Sequence, residues 1–273
     1  MAPDDIEQTV SAGDVAKWDP GLTEKVMGLL RPLIKGYHRS DVRGLESFPP
    51  AGGALVVSNH SGGLFAMDVP VFATGFYDQF GYERPVFTLS FDLIFTGPTA
   101  DFFRKTGFIP ANHENADEAL RSGGVVVVFP GGDYDVYRPT LAENKIDFDG
   151  RTGYVRAAIN AGVPIVPTVS IGGQQSQFYL SRGTWLAKTL RLDKLLRAKI
   201  LPLSFGFPFG FSAVLPVNVP LPTKIVMQVL EPIDIEAEFG TEPDIDAVDA
   251  HVRRVMQQAL DKLAKERRLP VIG

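Results

Sequence analysis

The sequence predicts an α/β fold, a mostly parallel sheet flanked by helices, with an amphipathic helix ahead of it near the N-terminus. Three observations predict it. Short β-rich runs, ALVVSNH (54–60), PVFTLS (85–90), GVVVVFP (124–130) and VPIVPTVSI (163–171), alternate with helix-like stretches. Strand, helix, strand in that order implies right-handed crossovers and parallel pairing. The all-apolar VVVV at 125–128 fits a central strand buried on both faces. Finally, 273 residues with 45% hydrophobic content are enough for one large buried core.

Taken in order, residues 1–20 are polar and carry Pro3, Gly13 and Pro20, so they read as a polar arm. Residues 21–273 read as a single domain. Over 22–37, Val26, Leu29, Leu30 and Leu33 recur at helical spacing between Lys25, Arg31 and Lys35, which predicts an amphipathic helix with a basic face. Between the predicted strands lie DVPVFATGFYDQF, TADFFRKTG, ENADEALRSG and GYVRAAINAG, the last two ending in the glycine that commonly stops a helix. KIVMQVLEP (224–232) predicts a further strand. The closing stretch 244–268 carries Val248, Val252, Val255, Ala259 and Leu263 on one helical stripe.

The segment before that strand differs in character. TWLAKTLRLDKLLRAK (184–199) sets Lys188, Arg191, Lys194, Arg197 and Lys199 against a single acid, a basic amphipathic pattern. From about 200 to 223 no residue is charged, and Pro202, Pro208, Pro216, Pro220 and Pro222 rule out a regular helix of that length. An irregular apolar loop, inserted in the domain, is the expectation. A basic helix followed by an uncharged aromatic stretch points to a membrane lipid surface as partner; a lid over the domain's own core is the alternative.

Composition excludes other classes. A net charge of −5 and an isoelectric point near 5.4 leave no basic tract for neutralising phosphates, so no nucleic-acid partner is expected. The absence of cysteine excludes disulfides and thiolate nucleophiles. The first residues, MAPDDIEQTVSAGD, have neither the basic start nor the apolar run of a secretory signal, so a cytoplasmic protein is expected.

Chemistry is concentrated at two strand ends. In VVSNHSGGLFAMD an apolar run stops at Asn59-His60, passes through Ser61-Gly62-Gly63 and reaches Asp68 eight residues after the histidine. The glycines allow the chain to fold back, so that the Asp68 carboxylate approaches the imidazole; a carboxylate there fixes the tautomer of a general base. Alone, such a pair is more often a strand-end histidine and a solvated first-turn acid. The second end is FPGGDYDVYRP (129–139), where amides exposed at Gly131 and Gly132 suit an oxyanion or a phosphate. Asp133 and Asp135 lack a third nearby ligand, and no metal is expected.

The order of these blocks resembles the glycerolipid and lysophospholipid acyltransferase superfamily. Its members carry an Asn-His-to-Asp block, a glycine-isoleucine block (here GFIPANHENADEAL), a Phe-Pro-x-Gly block and a Val-Pro-hydrophobic-Pro block (here VPIVP). The correspondence covers roughly residues 50–175 in the right order, and the order is more specific than any block alone. PGGDYD followed by GRTGYVRAAINAGVPIVPTVSIGG is similar in particular to the branch of type 2 diacylglycerol acyltransferases.

That resemblance implies a membrane-associated O-acyltransferase, peripheral on the inner face of a membrane, which moves an acyl group from acyl-CoA or acyl carrier protein to a lipid hydroxyl. It implies no cofactor beyond acyl-CoA as donor substrate. His60 would be the catalytic base and Asp68 its partner, with Asn59, Ser61, Asn112, His113, Gly131, Gly132, Asp135, Arg151 and Arg156 as substrate-binding candidates. Two departures stand out. Bacterial members space the histidine and aspartate five apart rather than eight. They also carry Glu after Phe-Pro and an Arg closing the glycine-isoleucine block, where this chain has Gly131 and His113, so a neutral acceptor is at least as well supported as a glycerol phosphate. Two further functions remain open: a lipid ester or thioester hydrolase using the same pair, and a lipid-binding protein without catalysis. The missing Gly-x-Ser-x-Gly elbow counts against the first.

Overall fold

The computed structural model describes residues 13–63, 66–192, 199–213, 215–269 and 271–272. The chain enters along α1 (Pro20–Arg31), whose first turn is set by two local devices: the Asp19 carboxylate accepts from the Leu22 amide at 2.9 Å, and Pro20 follows at the first helical position. Pro32 then has no amide to donate. The backbone widens into a π-helical stretch at Pro32–Tyr37. The predicted stripe of Val26, Leu29, Leu30 and Leu33 does not pack as one face; the inward row is Thr23, Met27, Leu30 and Ile34, at ordinary helical spacing. Met27 and Ile34 are buried in its place, while Leu29 is 80% exposed. Ahead of the helix, residues 1–12 of the expected arm lie outside the described residues; Val15 is buried and the Arg104 Nε donates to Asp14 at 2.7 Å.

The elements that follow in the chain are β1 (Asp41–Arg43), β2 (Ala54–Ser58), α2 (Asp68–Phe80), β3 (Val86–Ser90), α3 (Ala100–Lys105), β4 (Phe108–Pro110), α4 (His113–Arg121) and β5 (Val125–Val128). Then come α5 (Gly132–Val136), α6 (Gly153–Ala161), β6 (Ile165–Ile171), β7 (Phe178–Ser181), α7 (Thr184–Thr189), β8 (Leu203–Gly206) and β9 (Gly210–Ala213). The last are β10 (Val226–Val229), α8 (Ile235–Phe239) and α9 (Ile245–Glu266).

Seven strands form the main sheet in the order β1-β10-β6-β2-β5-β3-β4, parallel throughout except that β10 runs antiparallel to β6. Alternation along the strands builds two cores. Leu55, Val57 and Val126 face the layer of α4, α6 and α9, where Ala119, Val155, Val252 and Met256 are buried. Ala54, Val56, Val125 and Val127 face Phe72 and Phe76 of α2. Burial on both faces explains why β2 and β5 read as continuous apolar runs rather than alternating ones.

Part of the 200–223 segment, expected as an irregular loop, is regular: Leu203–Gly206 and Gly210–Ala213 are strands. β8 and β9 form a hairpin, and β7 pairs with β8, giving a small antiparallel sheet β7-β8-β9. The prolines exclude a helix but not strands, because Pro202, Pro208 and Pro216 fall just before β8, in the hairpin turn and after β9. Of the predicted basic helix at 184–199, α7 covers Thr184–Thr189; Lys194, Leu196 and Arg197 lie outside the described residues.

His38 ties the entry segment to the sheet. It is 1% exposed, its Nδ1 lies 3.1 Å from the Thr223 carbonyl oxygen, and its own carbonyl accepts from the Ile225 amide. Burial lowers its pKa below the ordinary 6.5, so the folded state favours neutral imidazole. In the unfolded chain the same residue takes up a proton as pH falls through its ordinary value. Its contribution to stability is therefore fully present above that value and is lost as pH falls below it. Urea unfolding of wild type and His38→Gln across this range is expected to show a shallower pH dependence for the variant.

Candidate active site

His60 and Asp68 meet at the carboxyl-terminal edge of the main sheet. β2 ends at Ser58 and delivers His60 between the ends of its neighbours β5 and β6, the position where open α/β sheets form their crevices. The chain then turns back through Gly62 and Gly63, with φ of +91° and +64°. Gly63 has a second constraint: a Cβ there would lie 1.6 Å from the Tyr179 hydroxyl oxygen. The fold-back brings Asp68, at the start of α2, to His60 despite eight residues of separation, with Nδ1 of His60 3.0 Å from Oδ2 of Asp68.

The Asp68 carboxylate is fully buried and receives a set of donors. The Ser61 amide donates to Oδ2 at 2.7 Å, and the hydroxyls of Ser170 and Ser61 donate to Oδ1 at 2.8 and 3.3 Å. With an acceptor-only carboxylate at Nδ1, the imidazole carries its proton on that nitrogen and leaves a lone pair on Nε2. Among the described residues Nε2 has no hydrogen-bond partner, and the His60 side chain is 20% exposed against 1% for that of Asp68. The imidazole is reachable while the carboxylate is sealed. The ring is also held flat by Phe129, stacked at 4.1 Å between centroids.

A second carboxylate holds the backbone of the same residue. Asp135 of α5 accepts the His60 amide at 2.7 Å on one oxygen, and Nη2 and Nε of Arg138 at 2.9 and 3.2 Å on the other. Burial raises the Asp135 pKa above its ordinary value, against the pull of the His60 amide and the Arg138 charge. Asn59 closes the other side. Its amide nitrogen donates to the Ser170 carbonyl at 2.9 Å, and its oxygen accepts the Ser170 amide at 2.8 Å, which staples the end of β2 to β6.

The sequence candidates thus fall into two groups. His60, Asp68, Asn59, Ser61 and Asp135 come together in one network. Gly131 and Gly132 flank it: Gly132 donates its amide to the Phe129 carbonyl, and a Cβ on Gly131 would lie 2.5 Å from that of Asp135. Arg151 braces this turn, its Nη1 donating to the carbonyls of Pro130 and Gly131 at 3.2 and 3.1 Å while Nη2 reaches Asp133. Asn112 and His113 are elsewhere. Asn112 caps α4 by accepting from the Asn115 amide at 2.8 Å, after the edge strand β4. Three strand spacings separate β4 from β2, about 14 Å. Arg156 is exposed on α6.

Three members of the site were missed in the sequence. Ser170 lies 102 positions from Asp68, and nothing local marks its hydroxyl as a partner. Phe129 reads as part of the Phe-Pro-Gly block without hinting at a stacked ring. Arg138 offered one signal, its spacing of three from Asp135, although it lies just past the end of α5.

A family model described as Acyltransferase matches residues 39–171. The chain is 30% identical to an uncharacterized protein of Mycobacterium tuberculosis, an alignment covering 97% of this chain and 77% of that one. It is 24% identical to a Bos taurus protein named "DGAT1/2-independent enzyme synthesizing storage lipids", over 92% of this chain and 72% of the relative. Diacylglycerol O-acyltransferase 2B of Umbelopsis ramanniana is also 24% identical, over 77% and 63%. Among solved structures, the 1-acyl-sn-glycerophosphate acyltransferase of Thermotoga maritima superimposes with a TM-score of 0.50 at 19% identity, over 88% of this chain and 82% of that one, and shares the fold.

The Asp135–Arg138 pair provides a stability test of this network. Their side chains are 3% and 4% exposed, so removing the acid strands a buried cation. Asp135→Ala is expected to lose about 3–5 kcal/mol in urea unfolding, whereas Asp135→Ala combined with Arg138→Met should recover much of that loss.

Proposed function

Because the chain belongs to the acyltransferase family, we propose that it transfers a fatty acyl group from a thioester donor, acyl-CoA or acyl carrier protein, to the hydroxyl of a glycerolipid or similar lipid. The observation that carries this reading is the His60–Asp68 contact of 3.0 Å, with a buried carboxylate on Nδ1 and an unpartnered Nε2 on the exposed side. In the reaction the acceptor hydroxyl gives its proton to Nε2 as its oxygen attacks the thioester carbonyl. The tetrahedral oxyanion collapses, the carbon–sulfur bond breaks, and the proton held on Nε2 passes to the departing thiolate. Asp68 stabilises the imidazolium formed in between. No covalent enzyme intermediate is needed.

General-base catalysis supplies about 10²–10⁴-fold, so positioning and oxyanion stabilisation must supply the rest. The Gly132 amide is engaged by Phe129, which makes the Gly131 amide the better donor of that turn. Phe129 and Asp135 hold the ring and the backbone of His60 against rotation.

A neutral acceptor fits the surroundings of His60 best. Two guanidinium groups beside the site are committed within the protein, Arg138 to Asp135 and Arg151 to Asp133 and two carbonyls. Gly131 stands where a glutamate follows Phe-Pro in the phosphate-directed members that the chain resembles. The relatives named for storage lipid and for diacylglycerol acylation agree with this preference. The enzyme would act as a peripheral protein on the inner face of a membrane; among the described residues no helix is long and apolar enough to cross one.

The test is transfer of radiolabelled acyl groups from acyl-CoA to a panel of monoacylglycerol, diacylglycerol, lysophospholipid and long-chain alcohol. His60→Ala and Asp68→Asn are expected to lower kcat by about 10²–10⁴-fold with little change in KM, because the pair acts on the transition state. Release of free fatty acid without acylated lipid would instead identify a hydrolase. Undiminished transfer by His60→Ala would remove the histidine from the mechanism.

A further inference from the structure

The small sheet β7-β8-β9 is built inside out for a protein surface in water. Its register sets Phe178 opposite Phe205 and Phe205 opposite Phe211, so three aromatic rings form a row across all three strands on one face. Phe205 and Phe211 are 57% and 61% exposed. The other face carries Tyr179, Ser204 and Ser212, all buried, with the two serine hydroxyls 2.9 Å apart. A half-buried sheet ordinarily turns its apolar residues inward and its polar ones to solvent. Here the polar side is packed and the aromatic side is bare.

The hairpin tip extends this face and is held in place. Phe207, between β8 and β9, is 77% exposed and Phe209 is 55% exposed. The Asn218 side chain accepts from the Phe209 amide at 3.1 Å and donates to the Gly210 carbonyl at 3.0 Å, while the Val219 amide donates to the Phe207 carbonyl at 2.8 Å. The tip rings are thus presented by a fixed backbone rather than left to collapse onto the domain, and inserting them costs little ordering entropy.

Charge identifies the occupant. No residue from 200 to 223 is charged, in a chain whose net charge is −5. At the base of the sheet the Leu201 amide donates to the Arg182 carbonyl at 3.0 Å, and Gly183 packs on the Leu201 carbonyl where a Cβ would fall 2.0 Å away, so α7 starts against the sheet. That helix and its end expose Lys188 and Arg191 beside Trp185 and Leu190. An uncharged aromatic face with cations at its margin matches the headgroup and upper acyl region of an anionic bilayer.

We propose that the outer face of β7-β8-β9, with the Phe207 tip, docks into the surface of an anionic lipid bilayer, and that Lys188 and Arg191 engage its headgroups. This deepens the reading of a lipid-directed enzyme and rests on it only for what is acylated. The inner face explains why docking serves the chemistry. Tyr179 packs against Gly63 in the loop that joins His60 to Asp68, so lipid on the outer face lies about one sheet layer, ~10 Å, from that loop.

Flotation of the full chain with vesicles of phosphatidylcholine, with and without phosphatidylglycerol, tests this. The wild type is expected to float with the anionic vesicles. Phe205→Ser/Phe207→Ser/Phe211→Ser should weaken binding ~100-fold while retaining transfer to a short-chain monomeric acceptor. Lys188→Glu/Arg191→Glu should lose ~10-fold on anionic vesicles and nothing on neutral ones. Phe207→Trp in a Trp18→Phe/Trp185→Phe background, which keeps the aromatic face intact, should show emission quenched by brominated phospholipid. Wild-type binding unaffected by the triple substitution, or an unquenched Phe207→Trp, overturns the proposal. So does equal loss of transfer to the monomeric acceptor, which would mark the face as a lid over the acyl chain. A wild-type dimer in light scattering that the triple variant breaks, with no vesicle binding, would assign the face to a second copy of the chain. The acyl-transfer reading falls separately, on His60→Ala.

Discussion

A buried carboxylate has to be met by donors, and the architecture around the site follows from meeting those of Asp68. Left unpaired at zero exposure it would cost several kcal/mol. Its donors come from two separate parts of the chain, the Ser61 amide and hydroxyl with the His60 imidazole from the loop after β2, and the Ser170 hydroxyl from β6. The residue itself opens α2, where the helix terminus also favours negative charge. One side chain therefore fastens α2 to the loop that precedes it and to the neighbouring strand. The His60 tautomer is a by-product of the same requirement, since an acceptor-only oxygen at Nδ1 leaves the proton nowhere else to go.

The loop that satisfies Asp68 must take a path that side chains would obstruct. Both of its glycines have positive φ, and the second touches the Tyr179 hydroxyl where a Cβ would stand. Packing there makes the small sheet part of the site's construction rather than an ornament on the fold. On the opposite flank Asp135 grips the His60 amide and is itself neutralised by Arg138. The imidazole is thus fixed at its side chain by one acid and at its backbone by another, with Phe129 limiting ring rotation. Such over-determination is how a short segment on a loop attains the positional accuracy that proton transfer requires.

Much of this was legible in the sequence, and the exceptions share a cause. The strands β2, β3, β5, β6 and β10 fall within predicted runs, and α2, α6 and α9 within predicted helices, α4 starting one residue ahead of its own, because each has a long apolar period or a clear stop signal. β1 and β4 have three residues each, too few to show a period. The α1 stripe misread its buried face: the inward row Thr23, Met27, Leu30 and Ile34 has the same period but is rotated around the helix from the predicted one, and Thr23 is not apolar. In β8 and β9 the period-two signal is present, Phe205 and Phe211 against Ser204 and Ser212, but its sense is inverted and prolines bracket it. At the site, the fold-back of Asp68 could be anticipated from the Ser-Gly-Gly loop. Ser170 could not, since only the pairing of β2 with β6 brings it there. Arg151, a binding candidate from the resemblance alone, also braces the Gly131 turn through its carbonyls, a contact that no local signal marks.

The distribution of positive charge gives the last constraint. Close to His60, Arg138 and Arg151 are engaged by carboxylates and carbonyls of the protein itself. At the rim of the aromatic sheet Lys188 and Arg191 remain solvated. A reaction whose acceptor is a neutral hydroxyl gains nothing from a headgroup charge beside the base, and a buried unpaired cation would cost stability. A protein that must find such an acceptor in a bilayer gains from charge that recognises the surface, where cations stay hydrated and act over a Debye length. Under the proposed docking, the lipid phase is recognised at the perimeter and the proposed proton transfer takes place at His60, away from the surface cations.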